Sequence, residues 1–197
     1  MIGGNPGSAR WPPFGRPWFA LHRTPAGDRL DPVSAGLTVV EDACRGGDTV
    51  VTVSGLPAKA DVRFLVQWDH LKAGPVQTAW AEPRFLYPGQ GQPLQLAANR
   101  WFRLSAYGLA EPRLIYNYRL VLSSGETDQR IAQLNVVSMD GPPTVVWAGD
   151  LDRDGRLDLL ADLTTDYVGH MYVLYVSSLA SAGSLVAEAT RLGLPGC

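Results

Sequence analysis

Five carboxylates and a glycine stand close together in Trp147-Ala-Gly-Asp-Leu-Asp-Arg-Asp-Gly-Arg-Leu-Asp-Leu-Leu-Ala-Asp162, between two apolar runs. Counting Asp150 as position 1, carboxylates fall at 1, 3, 5 and 9 (Asp150, Asp152, Asp154, Asp158), Gly155 falls at 6, and Arg156 at 7 is placed to offer its backbone carbonyl. Two carboxylates about 4 Å apart repel by roughly 4 kcal/mol at an effective dielectric near 20, so folding four of them into one turn calls for a cation. The loop contains no Cys or His, which disfavours zinc. Magnesium demands strict octahedral geometry and keeps its waters, whereas a run of protein oxygens suits Ca2+. The competing reading is a solvated acidic turn.

The loop departs from the helix-flanked EF-hand. Position 12 is Ala161 rather than a bidentate glutamate, and the flanks Thr144-Val-Val-Trp147 and Leu157-Asp-Leu-Leu160 read as strands. Asp158 must then close the site. The stretch Ala-Gly-Asp-Leu-Asp-Arg-Asp-Gly-Arg-Leu-Asp-Leu-Leu resembles the calcium motif of FG-GAP (integrin-type) repeats, in which the loop joins two β-strands. The segment from there to the C-terminus, with Tyr-Val-Ser-Ser-Leu-Ala-Ser-Ala-Gly-Ser-Leu-Val and a final Cys, also resembles a group of bacterial secreted proteins that carry one such loop. The resemblance covers about the last third of the chain and implies Asp150, Asp152, Asp154, Asp158 and the Arg156 carbonyl as metal ligands.

Other chemistry is sparse. His22, His70 and His170 are the only histidines; Asp69-His70 and Asp166 with His170 are the available acid/base pairs, and a structural role is the expectation for each. There is no Gly-x-Ser-x-Gly, His-Glu-x-x-His, phosphate-cradling glycine loop or CxxC. Six Trp and seven Tyr could form a carbohydrate platform, but Trp68, Trp80, Trp101 and Trp147 each sit in strand-like or apolar surroundings and are expected in the core. Cys44 and Cys197 are the only cysteines, and the second is the terminal residue. A disulfide between them would be worth about 5 kcal/mol on the chain-entropy view. The alternative is one buried and one incidental cysteine.

The elements that must position these residues read as strands. Residues 1–17, rich in Gly and Pro with Trp11 and Phe14 between, form an arm, and residues 18–197 are expected to form a single β-rich domain with the calcium loop at 150–162. Strands are expected near 18–22, 37–41, 48–53, 62–68, 94–97, 101–107, 114–122, 129–137, 144–147, 157–160 and 171–176, with 185–190 open between strand and short helix. In 114–122 the alternation puts Leu114, Tyr116, Tyr118, Leu120 and Leu122 on the face to be buried. This spacing predicts an all-β or mainly β antiparallel sandwich or barrel-like domain with one strand-loop-strand calcium site.

With 197 residues, 46% of them hydrophobic, the chain can bury a sizeable core. Its net charge of −2 and scattered arginines argue against nucleic acid. No apolar run approaches the ~18 residues that span a bilayer, and the N-terminus lacks the pattern of a signal peptide. Calcium at extracellular concentrations and paired cysteines fit a periplasmic or secreted chain that begins after its leader. The expectation is a non-catalytic extracytoplasmic calcium-binding domain that binds a protein partner, a class that includes bacterial inhibitors or immunity proteins against a secreted toxin or cell-wall hydrolase. The alternative is a secreted hydrolase or carbohydrate-binding module with a structural calcium.

Overall fold

Runs rich in Val, Thr, Leu and aromatics, cut every few residues by Gly, Pro, Asn or Asp, favour pleated ladders over helices. A computed structural model describes residues 17–40, 48–56, 60–165 and 169–194, with side chains left out at 35–40, 48–53 and 194. Among the described residues there is no α-helix, every strand pairing is antiparallel, and no sheet closes on itself. Cys44, Cys197 and Asp166 lie outside them, as do residues 1–16 of the arm. None of the structure forms a helix long and apolar enough to cross a membrane among the described residues. The chain clusters into two compact units, 1–76 with 197 and 77–196.

The first unit holds β1 (Trp18–Thr24), β2 (Gly27–Val40), β3 (Asp48–Ser54), β4 (Asp61–Val66) and β5 (Gly74–Pro75) in one sheet of order β3-β2-β1-β4, with β5 also on β2. The first turn is tight. Thr24 pairs with Gly27, the Thr24 hydroxyl donates to the Gly27 carbonyl and accepts from the Ala26 N–H, and β2 starts at once. The long β2 serves β1 with its first half and β3 with its second. Trp18, Ala20 and Val33 make a small core with Leu56 and Leu65 against it.

The second unit is a sandwich of two sheets. One contains β8 (Gly91–Ala97), β9 (Arg100–Ala110), β10 (Leu114–Ser124) and β11 (Thr127–Ser138) in the order β11-β10-β9-β8. The other runs β15-β14-β13-β12-β6, built from β6 (Gln77–Trp80), β12 (Thr144–Asp150), β13 (Asp158–Asp162), β14 (His170–Val176) and β15 (Ala187–Leu194), with β7 (Arg84–Phe85) also on β12. Leu94, Leu104, Ile115 and Leu120 from one sheet and Val145, Ala148, Leu159 and Val173 from the other share a single buried cluster. Tyr118 lies wholly inside it and satisfies its hydroxyl by donating to the Leu86 carbonyl at 2.9 Å. Its burial pushes the phenol pKa up.

One expected face is corrected. Tyr118, Leu120 and Leu122 are buried, but Leu114 is exposed, Tyr116 is half-buried and Ile115 is buried instead. Asn117 adopts a φ of +52°, and the register against β9 shifts between Tyr116 and Arg119. A β-bulge there adds a residue, and because the side-chain period is two, the preceding half of the strand changes face.

Candidate metal centre

The hairpin β12–β13 carries the acidic loop between Gly149 and Asp158, which pair directly. Gly149 is forced by packing: a β-carbon there would collide with the Gln77 carbonyl of β6 and the ring of Trp147. Trp147 is itself fully buried and donates its indole N–H to the Thr78 hydroxyl at 3.2 Å. The residue before Asp150 is thus clamped between a neighbouring strand and a tryptophan, which fixes where Asp150 emerges. Gly155 reverses the chain with a φ of +80°, a conformation that costs glycine nothing.

Asp150, Asp152 and Asp158 converge, each offering one carboxylate oxygen, and these oxygens all lie within 4.8 Å of one another. Such a group could hold a metal ion. The Asp158 carboxylate is wholly buried; one oxygen accepts from the Leu151 N–H at 2.7 Å, the other from the Ser177 N–H at 2.8 Å and the Ser177 hydroxyl at 2.9 Å. Burial raises its pKa to about 7, helped by the Asp152 charge and opposed by those hydrogen bonds. Asp150 is only 6% exposed; its Oδ2 accepts from the Gly155 N–H at 2.9 Å, while its Oδ1 is buried with no hydrogen-bond partner. Burial raises the Asp150 pKa too, with Asp154 and Asp152 adding to it and the Gly155 hydrogen bond opposing. A buried carboxylate oxygen left unpaired costs the desolvation of a charged acceptor, a cost that either a proton or a bound cation would relieve.

The other expected ligands are placed differently. The Asp154 carboxylate is outside the converging group: it accepts from the Arg156 N–H at 2.8 Å and its Nε at 2.9 Å, and from the Ser177 hydroxyl at 3.2 and 3.3 Å. The Arg156 side chain, still half exposed, pairs with Asp154 at 2.7 Å. Two residues that sequence reasoning gave no role complete the loop. Ser177 and Ser178, in the 3-10 turn Ser177–Leu179 that follows β14, brace Asp158, Asp154 and Asp152. Their only local signal is a pair of serines directly after an apolar strand.

Two of the histidines pair with carboxylates that the sequence reading did not single out. The His170 Nδ1 lies 2.6 Å from Asp162, and its ring stacks on Tyr172, while the Asp166 named with it falls outside the described residues. Asp162 also accepts the Thr164 and Met171 N–H groups, so this carboxylate ties the end of β13 to β14. In the first unit the buried His22 bonds Asp31, which also takes Arg29. Asp69 and His70 lie in a turn beyond β4, both exposed. Neither His22 nor His170 has a Ser, Cys or Thr nucleophile among the partners described for it. Of the tryptophans expected inside, Trp147 is buried and Trp68 and Trp80 are half-buried, but Trp101 is 55% exposed. No family model matches the chain, and no curated protein or solved structure does either.

Proposed function

We propose that the protein is a non-catalytic, extracytoplasmic β domain that takes up Ca2+ in the 150–158 loop and works as a binding module. One observation carries the calcium reading: Asp150 Oδ1 is buried and unpaired inside a group of three carboxylates. The three converging donors are all carboxylate oxygens, the hard ligands that Ca2+ takes. Asp150, Asp152 and Asp158 are the first ligands, with the Arg156 carbonyl and Asp154 completing the set, as the FG-GAP resemblance implies. A bound ion would neutralise the cluster and make loop order depend on the metal.

Calcium binding at one hundred times Kd adds about 2.7 kcal/mol to stability. Chelator should lower the melting temperature and calcium restore it, with magnesium a poor substitute. Asp152→Ala should remove most of that response while melting close to wild type in chelator, because relief of repulsion offsets the lost hydrogen bonds. Identical melting of the wild type in chelator and in millimolar calcium would refute the reading.

A protein partner, of the inhibitor or immunity kind, is the first reading of what the module binds. A carbohydrate ligand is the second, and it is favoured by one observation: Trp101 presents its ring to solvent at the loop end of the sandwich.

A further inference from the structure

Three hairpin connections of the second unit meet at one end: the turn between β8 and β9, the turn between β10 and β11, and the acidic loop between β12 and β13. Between them lies a cleft of about 720 Å³, within the range of small-molecule sites. Asn99, Arg100 and Trp101 form one wall, and Asp154, Gly155 and Arg156 the other. The Arg100 guanidinium lies over the acidic loop, so that a β-carbon on Gly155 would come within 2.9 Å of its Nη1. Among the described residues the Arg100 side chain makes no hydrogen bond or ion pair, whereas Arg156 is taken by Asp154.

We infer that this cleft binds an anionic sugar, a uronate-type residue whose ring stacks on Trp101 and whose carboxylate is taken by Arg100. The inference rests on the binding-module reading and names its ligand. Each part of the ligand answers to something in the cleft. A large apolar ring held open to water is costly unless a flat apolar face covers it, and the C–H face of a pyranose is one. An arginine with no anion of its own, beside an acid already neutralised, leaves one positive charge for the ligand to match, and its planar fork suits a carboxylate. The Asn99 amide can donate to and accept from ring hydroxyls. An extended acidic peptide fits less well. It would bind by adding to a strand edge, and the cleft is walled by hairpin ends, away from the edge strands β8 and β11 of that sheet.

The test is calorimetric titration of the full chain, in calcium, with a tetrasaccharide of alternating glucuronate and N-acetylglucosamine. Free glucuronate, chitotetraose and hexaglutamate are run alongside, so that a free sugar acid, a neutral glycan and an acidic peptide are told apart. The tetrasaccharide should bind, more tightly than chitotetraose or hexaglutamate. Trp101→Ala and Arg100→Ala should each weaken it about tenfold or more, the loss expected of one aromatic contact or one charged hydrogen bond. Arg113→Ala, outside the cleft, should leave it unchanged. Both cleft side chains are exposed, so the variants should melt with wild type, and the melt of each sample in calcium and in chelator reads the cation site separately. Tetrasaccharide binding without a calcium shift would keep the cleft and discard the calcium reading; a calcium shift without tetrasaccharide binding would do the reverse. Binding that survives both substitutions, or is matched by chitotetraose or hexaglutamate, would overturn the inference.

Discussion

The buried Asp158 should make the metal-free protein lose stability as pH rises, opposite to the usual behaviour of a paired carboxylate. Its pKa stands at about 7 against an ordinary value of 3.8. Between those two values the folded chain holds a proton that the unfolded chain has released. The stabilisation from this group is therefore fully present below the unfolded value and is lost as pH climbs through about 7. The slope approaches about 1.4 kcal/mol per pH unit for one proton, and integrated to neutrality it amounts to about 4 kcal/mol. Asp150, raised by the same burial, acts in the same direction. Saturating calcium should cancel the loss, since the ion binds the ionised carboxylate and replaces the proton. The assay is urea unfolding of chelator-stripped protein at pH 4.5, 5.5, 6.5 and 7.5, repeated in calcium and with Asp158→Asn. The stripped wild type should show its urea midpoint falling across the series, the calcium-loaded protein should not, and Asp158→Asn should fall less steeply, keeping only the share that Asp150 contributes. A midpoint in the stripped protein that is constant or rises with pH would refute the assignment of Asp158 as a carboxylate held against its preference for water.

Gly149→Ala should cost about 1–3 kcal/mol through overpacking, because the obstacles are a backbone carbonyl and a buried indole, neither of which can swing away; its melting curve should drop while Trp101→Ala does not. A Cys44–Cys197 bridge should make the intact mass two protons lighter without reductant than with it, and two thiols titrating in the native protein would exclude the pairing.

Most of the strands were readable because their signal is local. β3, β4, β8 to β14 each contain an alternating or β-branched run that needs no distant contact to be recognised, and the expected spans fall on them within a few residues. Residues 185–190 could not be decided alone. They become β15, beginning at Ala187, by pairing with β14, and that pairing is a tertiary fact. β6 escaped because Gln77-Thr-Ala-Trp80 is short and half polar, yet it closes the edge of β12 and supplies the carbonyl that makes Gly149 obligatory. The face of β10 was right beyond Asn117 and reversed before it, since a bulge is invisible to a count by twos.

The acidic loop divides along the same line. The spacing of aspartates and glycine marks a candidate centre, but it cannot say which carboxylates point inward. That choice is made by groups far along the chain: Ser177 holds Asp158 in place and, with Arg156, draws Asp154 aside. The consequence reaches the cleft. A cation that recruits Asp154 at the fifth position must take it from Arg156, and the freed guanidinium would then stand across the cleft from Arg100. Loading the metal and binding an anion would each favour the other, by the same factor in both directions. Trp101 was misread for a related reason. Its strand pattern is that of a core residue, but it is the second residue of β9, at the mouth of the sandwich, where one sheet no longer has the other to cover it. A strand's interior is written in its own sequence, whereas its ends take their environment from whichever loops meet there, and both the metal centre and the cleft are built from ends.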